Sequence, residues 1–153
     1  MRHADPCPGQ TIHLFRAGGG GSVFQLRPGG ITKTVWKNPL MQNQFSTSVL
    51  YQGHLYGFSS KRLRCMNFAT GQKRWDKTGL GRGTLLIADG HLILLGEYGQ
   101  LVLAEANPKA YVEKGRCQPL EGECVTAPAL ANGRLFLRNE STLLALDLKE
   151  TQP

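Results

Sequence analysis

Four cysteines and four histidines are the residues of this 153-residue chain best suited to metal or redox chemistry. The cysteines are Cys7, Cys65, Cys117 and Cys124. They include no Cys-x-x-Cys pair, and no two histidines are separated by three residues. Zinc sites draw on such closely spaced thiolates and imidazoles. We therefore expect no metal site in this chain.

Two of the cysteines leave a redox question open. Cys117 and Cys124 flank the six residues 118–123. In an exported protein they would close a small disulfide loop, whereas in a reducing compartment they would stay two free thiols. The spacing is compatible with both states.

Gly18–Gly21 and the histidines are better explained by turns than by chemistry. No Lys followed by Ser or Thr stands at phosphate-loop spacing after these glycines, so we favour a hairpin turn there. His54 and His91 follow two similar turns, where exposed residues are expected. A joint histidine site would need neighbouring repeats to bring those turns together.

Basic residues cluster in one part of the chain, at Lys61, Arg62, Arg64, Lys73, Arg74 and Lys77. The formal net charge is +7, and basic groups interleaved with aromatic ones can bind phosphates and stack bases. The cluster is nevertheless predicted to lie in a hairpin turn and on an outer strand, where solvated charge is common. We favour a solvated face over a nucleic-acid partner.

The elements that must position these residues are short strands. Three turns recur between short apolar runs: Gln52-Gly53-His54, Asp89-Gly90-His91 and Asn132-Gly133-Arg134. Asp-Gly or Asn-Gly between such runs is the strongest short-range hairpin signal, because both central residues need positive φ. The turns are 37 and then 43 residues apart. A repeat of about 40 residues made of four strands is typical of a β-propeller blade.

The sequence therefore predicts an all-β fold of four-stranded antiparallel propeller blades, in an incomplete arc of about three to four blades, with essentially no helix. Strands are expected at 12–16, 22–26, 33–36, 48–51, 54–59, 62–68, 73–75, 84–88, 91–96, 100–105, 110–114, 126–131, 134–138 and 142–147. The expected units are a loose lead-in 1–10, a partial blade 11–36, blades 46–75 and 84–116, a partial blade 126–148 and a tail 149–153.

One segment of the second repeat resembles a known motif. Residues 65–75, Cys-Met-Asn-Phe-Ala-Thr-Gly-Gln-Lys-Arg-Trp, are similar to the tryptophan-docking motif Ala-x-Asp-x-x-Thr-Gly-x-x-x-Trp of the pyrroloquinoline quinone (PQQ)-like propeller repeat. Thr70, Gly71 and Trp75 match the motif, Asn67 stands for Asp, and Cys65 stands for Ala. The third repeat lacks the motif, and the fourth stops where it would begin.

The resemblance implies blades like those of quinoprotein dehydrogenases and of the periplasmic scaffold of the outer-membrane assembly machinery. It implies that Cys65 is buried and inert, and that Trp75 packs at a blade junction beside the Thr70-Gly71 turn. Trp36 lies 39 residues before Trp75, at the same place in the first repeat. A periplasmic or exported location follows from the resemblance alone, because no secretory signal is visible after Met1. No apolar run is long enough to span a membrane.

The resemblance also bears on catalysis. PQQ dehydrogenases, as a family, hold the quinone with a vicinal Cys-Cys disulfide and a calcium ion. This chain has no adjacent cysteines, no calcium-loop spacing among its carboxylates, no nucleophile elbow and no His-Glu-x-x-His. We therefore expect a non-catalytic scaffold or protein-binding module without a cofactor. The alternative is a degenerate fragment of a PQQ-dependent oxidoreductase.

The strand count predicts an open arc, because two whole blades are flanked by partial ones and a closed propeller has at least about four blades. We expect the C-terminal part of a larger propeller. The alternative is a compact stand-alone β-domain. An open arc exposes apolar faces and a strand edge near Leu143–Asp147, so the isolated chain is expected to self-associate or aggregate.

Overall fold

The computed structural model describes residues 11–16, 19–27 and 30–149, and every regular element in these ranges is a β-strand. The strands are β1 Thr11–Arg16, β2 Gly20–Arg27, β3 Gly30–Asn38, β4 Val49–Tyr51, β5 His54–Ser59, β6 Arg62–Asn67, β7 Lys73–Lys77, β8 Thr84–Ala88, β9 His91–Leu95, β10 Leu101–Glu105, β11 Glu113–Cys117, β12 Ala129–Ala131, β13 Arg134–Arg138 and β14 Leu143–Asp147. No helix in these ranges is long and apolar enough to cross a membrane.

The strands form four antiparallel sheets in which consecutive strands are neighbours. Sheet 1 is β1-β2-β3, sheet 2 is β4 to β7, sheet 3 is β8 to β11, and sheet 4 is β12-β13-β14. The all-β prediction and the arc of four-stranded units flanked by three-stranded ones are confirmed. Assignments that fall on residues 1–10 and 150–153 lie outside the described residues, and the division into repeat units stays a prediction.

The first hairpin of sheets 2, 3 and 4 closes with the turn that the sequence predicts. Both central residues have positive φ in each turn: 45° and 74° at Gln52-Gly53, 44° and 71° at Asp89-Gly90, 51° and 75° at Asn132-Gly133. The glycine carbonyl then accepts a hydrogen bond from an N–H just beyond the third strand of the same sheet, at Phe68, Ala106 and Leu148. These bonds hold the first turn against the end of the third strand.

Three apolar layers lie between successive sheets. Met41, Leu55 and Met66 fill the layer between sheets 1 and 2. The second layer joins sheet 2 to sheet 3 and contains Tyr56, Phe58, Leu63, Cys65, Leu80, Leu85, Leu92, Leu94, Val102 and Ala104. The third joins sheet 3 to sheet 4 and contains Ile93, Leu95, Leu120, Cys124, Leu135 and Leu137.

Adjacent side chains of one central strand belong to different layers. Leu92 packs towards sheet 2 and Ile93 towards sheet 4, as the two-residue period of a strand requires. A strand buried on both faces reads as a continuous apolar run, which explains the sequence Leu-Ile-Leu-Leu of residues 92–95. Each inner sheet is therefore stabilised by both of its neighbours.

Two predicted strands are misplaced. The last strand of sheet 3 is Glu113–Cys117 rather than 110–114, because Asn107 and Tyr111 contact Trp75 of sheet 2 and the chain returns to β10 only where the carbonyl of Val112 accepts from the N–H of Glu105 at 2.9 Å. The first strand of sheet 4 is Ala129–Ala131 rather than 126–131, since the carbonyl of Thr126 bonds to Thr84 Oγ1 and Pro128 has no N–H to donate. Other strand ends differ from the predictions by at most three residues.

We expect Gly53→Ala to lower the free energy of unfolding by about 1–2 kcal/mol, because an L-residue pays that cost in the left-handed region. Gly53 has a φ of +74°, yet a Cβ would meet nothing within 4 Å. Gly115 has equally open space without positive φ, so Gly115→Ala is the matched control and should not destabilise the protein. Urea unfolding measures both, and equal effects would contradict the backbone explanation.

Candidate functional site: the docked tryptophans and the turn face

Trp36, near the end of β3, binds sheet 1 to sheet 2. Its indole Nε1 donates to the carbonyl oxygen of Phe68 at 2.7 Å. A Cβ on Gly71 would lie 2.6 Å from Trp36 Cδ2, so only glycine lets the ring approach this turn. Asn38 Nδ2 donates to the carbonyl of Gly71 at 2.8 Å and completes the junction.

The turn that receives Trp36 is built by Asn67 and Thr70. Asn67 Oδ1 accepts from the backbone N–H of Thr70 at 3.0 Å and from Thr70 Oγ1 at 3.1 Å. The N–H of Gly71 donates to the carbonyl of Asn67 at 2.9 Å. Such side-chain caps fix a turn locally. Asn67, Thr70 and Gly71 thus form a rigid receptor for an indole ring.

Trp75 on β7 makes the equivalent contact one sheet further on. Its Nε1 donates to the carbonyl oxygen of Asn107 at 2.8 Å, and its ring lies 6.1 Å from Tyr56 and 5.9 Å from Tyr111 between centroids. The expectation that Trp75 lies beside Thr70-Gly71 is wrong, because the ring on that turn belongs to Trp36. Each tryptophan docks onto the sheet that follows its own.

The two tryptophan hydrogen bonds have the same spacing in the sequence, and this spacing is the signal for the partner of Trp75 that the sequence analysis missed. Trp36 and Phe68 are 32 residues apart, as are Trp75 and Asn107. The third repeat therefore keeps the hydrogen-bond acceptor although it lacks the Thr-Gly of the motif.

The cysteines are free thiols in the described part of the chain. Cys117 is exposed, whereas Cys65 and Cys124 are buried. Burial raises the pKa of the Cys65 thiol to about 11, and burial also raises the pKa of Cys124. Both buried groups are protonated and unreactive at neutral pH.

The histidines contact their own turns. His54 Nδ1 lies 3.0 Å from the carbonyl oxygen of Gln52, and His91 Nδ1 lies 2.8 Å from that of Asp89. Among the described residues, no group of three or more His, Cys, Asp or Glu side chains could hold a metal ion.

The second turn of sheets 2, 3 and 4 is fastened to the linker that precedes the sheet. Ser59 Oγ donates to the carbonyl of Leu40 at 2.8 Å in sheet 2. In sheet 3 the N–H of Glu97 donates to the carbonyl of Leu80 at 2.8 Å. In sheet 4 Asn139 Nδ2 donates to the carbonyl of Glu121 at 2.6 Å. These turns and linkers make up what we call the turn face.

An open basin of about 620 Å³ lies on the turn face between sheets 2 and 3. Its lining includes Ser60, Lys61 and Arg62 from one turn, Gly79 and Gly81 from the linker, and Tyr98 from the next turn. Tyr98 is 56% exposed. Sequence reasoning identified the basic residues but not the basin, because its two sides come from different repeats.

Glu97 anchors the wall of the basin. It is 3% exposed and accepts from the backbone N–H of Arg82 at 3.0 Å and from Arg82 Nε at 2.9 Å. These hydrogen bonds from Arg82 hold the pKa of Glu97 below its usual range. The Arg82 guanidinium lies 5.4 Å over the ring of Phe45, which is 52% exposed. The charge of Arg82 is therefore neutralised by Glu97.

The other basic residues divide between paired and free groups. Arg64 and Lys73 form ion pairs with Asp76 at 3.2 Å and 3.4 Å, and Arg62 approaches Asp76 at 4.0 Å. Lys61 makes no ion pair within the described ranges. Lys61 and the 54% exposed Arg62 side chain keep the basin positive. The predicted solvated face is thus partly an ion-pair cluster around Asp76.

A smaller pocket of the opposite charge lies on the turn face between sheets 3 and 4. It measures about 120 Å³, and its lining includes Glu121, Glu123 and Glu140. The turn face therefore carries a positive basin beside a negative pocket.

We expect Trp75→Ala to lower the free energy of unfolding by about 3 kcal/mol, the usual loss for a packed aromatic side chain. Trp75→Phe keeps a ring and loses the bond to Asn107, so it should cost about 1 kcal/mol. Denaturant unfolding of both variants is the measurement. An unchanged midpoint in Trp75→Ala would refute the docking role.

Glu97 gives a pH dependence with a defined sign. Because its folded-state pKa is lowered, the stabilisation that it contributes is complete above about pH 5 and is lost as the pH falls through the folded value. We expect Glu97→Gln to cost about 1–2 kcal/mol at pH 7 and to flatten the loss of stability on acidification. Glu140→Gln, on the corresponding turn of sheet 4, is the control and should retain the wild-type profile. Thermal unfolding between pH 7 and pH 3 distinguishes the two.

Comparison with solved structures shows the fold. The chain is similar to BamB from Moraxella catarrhalis, a β-propeller, with a TM-score of 0.67 at 15% identity over 88% of this chain and 39% of that one. It is also similar to the computationally designed Ika8 protein, with a TM-score of 0.64 at 12% identity over 90% of this chain and 43% of the design. No family profile and no curated protein sequence matches. The chain has a β-propeller-like fold and spans about two fifths of each of these solved chains.

Proposed function

We propose that this chain is an arc of PQQ-like propeller blades that acts as a non-catalytic scaffold, forms part of a larger propeller and binds protein through its turn face. The proposal rests on one observation, the basin between sheets 2 and 3. A concave surface with the exposed ring of Tyr98 and the positive charges of Lys61 and Arg62 is suited to an acidic protein segment.

The geometry of the turn face supports binding rather than chemistry. The hydrogen bonds of Ser59, Glu97 and Asn139 fix each turn to a linker, so the surface is formed before a partner arrives. A preformed surface loses less conformational entropy on association. Tyr98 and Phe45 offer aromatic contacts, and Lys61 and Arg62 offer charge.

Membership of the PQQ-like repeat family is supported by the docking of Trp36 and Trp75 onto carbonyls of the following sheet. A periplasmic or exported location is part of the same proposal. It rests on the likeness in fold to BamB and on the resemblance of the motif.

Selection from a library of random twelve-residue peptides tests the function. We expect the selected peptides to be rich in Asp and Glu beside aromatic residues, and to lose about tenfold or more in affinity with Arg62→Glu or Tyr98→Ala. Lys109→Glu, an equal charge reversal at an exposed residue outside the basin, is the matched control.

Two results would overturn the proposal. One is affinity that falls equally in Arg62→Glu and Lys109→Glu, which would mean that net charge alone attracts the peptides. The other is stoichiometric uptake of PQQ in the presence of calcium, followed by its absorbance, which would favour the oxidoreductase alternative.

A further inference from the structure

The second hairpin of sheet 2 contains a residue with an unusual backbone conformation. Ser59 pairs with Arg62, so Ser60 and Lys61 form a two-residue loop between β5 and β6. Ser60 has a φ of 54°, whereas Lys61 is not in the positive-φ region. Positive φ at the first central residue alone is typical of a type II′ turn, in which glycine normally occupies that position. A serine there keeps a side chain at a cost in backbone strain.

The fold does not explain this strain. Three other described non-glycine residues have positive φ, and each begins the recurring first turn of its sheet: Gln52, Asp89 and Asn132. The conformation of Ser60 does not recur in this way. In the second turn of sheet 3 the positive φ belongs to a glycine, Gly99, at 87°, and residues 139–142 of sheet 4 contain none. The second turns of the other sheets therefore form without a strained side chain.

The preceding linker holds the strained loop in place. The N–H of Ser60 donates to the carbonyl of Gln42 at 3.2 Å. Ser59 Oγ donates to the carbonyl of Leu40 at 2.8 Å and accepts from the N–H of Gln42 at 3.0 Å. Strained residues persist only where the surrounding contacts determine their conformation, and they cluster at binding sites. The strain at Ser60 therefore indicates a role for its side chain.

The side chain of Ser60 is accessible to a ligand. It is exposed and lines the basin on the turn face. Its hydroxyl makes no hydrogen bond within the part of the chain that the structure describes. Because the backbone N–H of Ser60 already bonds to Gln42, the hydroxyl is the donor that this residue can offer to a ligand.

The basin presents a set of hydrogen-bond donors. Ser60, Thr78 and Tyr98 carry hydroxyl groups, and Lys61 and Arg62 carry positive charge. None of the described residues that line the basin has a carboxylate. An ionised carboxylate is an acceptor with about four lone-pair sites, so it matches such a set of donors. Hydrogen bonds to a charged acceptor are also stronger than those between neutral groups.

We propose that Ser60 is a specificity-determining residue of the basin, whose hydroxyl donates a hydrogen bond to an Asp or Glu carboxylate of the bound segment. The charges of Lys61 and Arg62 attract the segment, and the hydroxyl selects a carboxylate within it. Glycine at this position would relieve the strain but remove the donor, so the serine represents stability given up for binding. The inference rests on the proposed function, because it names the group that the acidic segment presents to the basin.

Unfolding in urea tests the strain. We expect Ser60→Gly to raise the unfolding midpoint, because the steric cost that glycine removes exceeds the chain entropy that it adds to the unfolded state. Ser60→Ala keeps a Cβ and should not raise the midpoint. Gln52→Gly is the matched control for strain relief, since Gln52 is exposed, has a φ of 45° and lies outside the basin lining. It should raise the midpoint as Ser60→Gly does.

Fluorescence anisotropy with the full chain and a fluorescein-labelled peptide, Gly-Asp-Glu-Trp-Asp-Glu-Gly, tests the binding. We expect Ser60→Gly and Ser60→Ala to bind this peptide about tenfold more weakly than the wild type, because each loses one hydrogen bond to a charged group. Gln52→Gly should bind normally. A second peptide has Asn and Gln in place of Asp and Glu, and it should bind weakly and equally to the wild type and to Ser60→Ala.

Three results would overturn the inference. They are wild-type affinity in Ser60→Ala, an unchanged urea midpoint in Ser60→Gly, and equal losses in Ser60→Ala with the acidic and the amide peptide. If Arg62→Glu still weakens binding of the acidic peptide in those cases, the proposed function of the basin stands without Ser60. An acidic peptide that does not bind the wild type, or that binds Arg62→Glu as tightly as the wild type, would contradict the proposed function and the inference together.

Discussion

The docking of one indole onto the next sheet is the contact that organises this structure. A sheet of three or four short strands is marginal alone, and hydrophobic burial between sheets does not by itself define their relative orientation. The hydrogen bonds from Trp36 to Phe68 and from Trp75 to Asn107 fix this relative orientation, because each holds the indole of an outer strand on one turn of the neighbouring sheet. The two apolar layers on either side of sheet 2 then fill the space that these contacts define.

Local and long-range features differ in how far the sequence predicts them. The turns at Gly53, Gly90 and Gly133 were predictable because positive φ is a property of two adjacent residues. The partner of Trp75 was not predictable from the sequence. The motif contains a tryptophan and a Thr-Gly turn within one segment, whereas in the structure each tryptophan contacts a turn of the sheet that follows its own. The later start of β11 also results from a contact between sheets. Asn107 and Tyr111 contact Trp75 of sheet 2 before the chain pairs with β10 of its own sheet.

The candidate binding surfaces show the same limit. Lys61 and Arg62 were visible as a basic cluster, but the basin also needs Tyr98 from the next repeat and Gly79 from the linker. The hydrogen-bonded ion pair between Arg82 and Glu97 joins residues that are 15 positions apart, and no sequence pattern predicts it.

The offset between each indole and its receptor also bears on how such a chain grows. The contact between Trp36 and the turn at Asn67–Gly71 joins two sheets, so sheet 2 carries the receptor for its predecessor and, in Trp75, the indole for its successor. Copying one whole repeat in tandem adds one indole and one receptor together, and every new junction is complete when it forms. A gene encoding this unit can thus lengthen by duplication without inventing a new interface. A duplication boundary inside a repeat would instead leave an indole without its receptor turn, or a turn without its indole. Selection is therefore expected to favour duplication boundaries in the linkers.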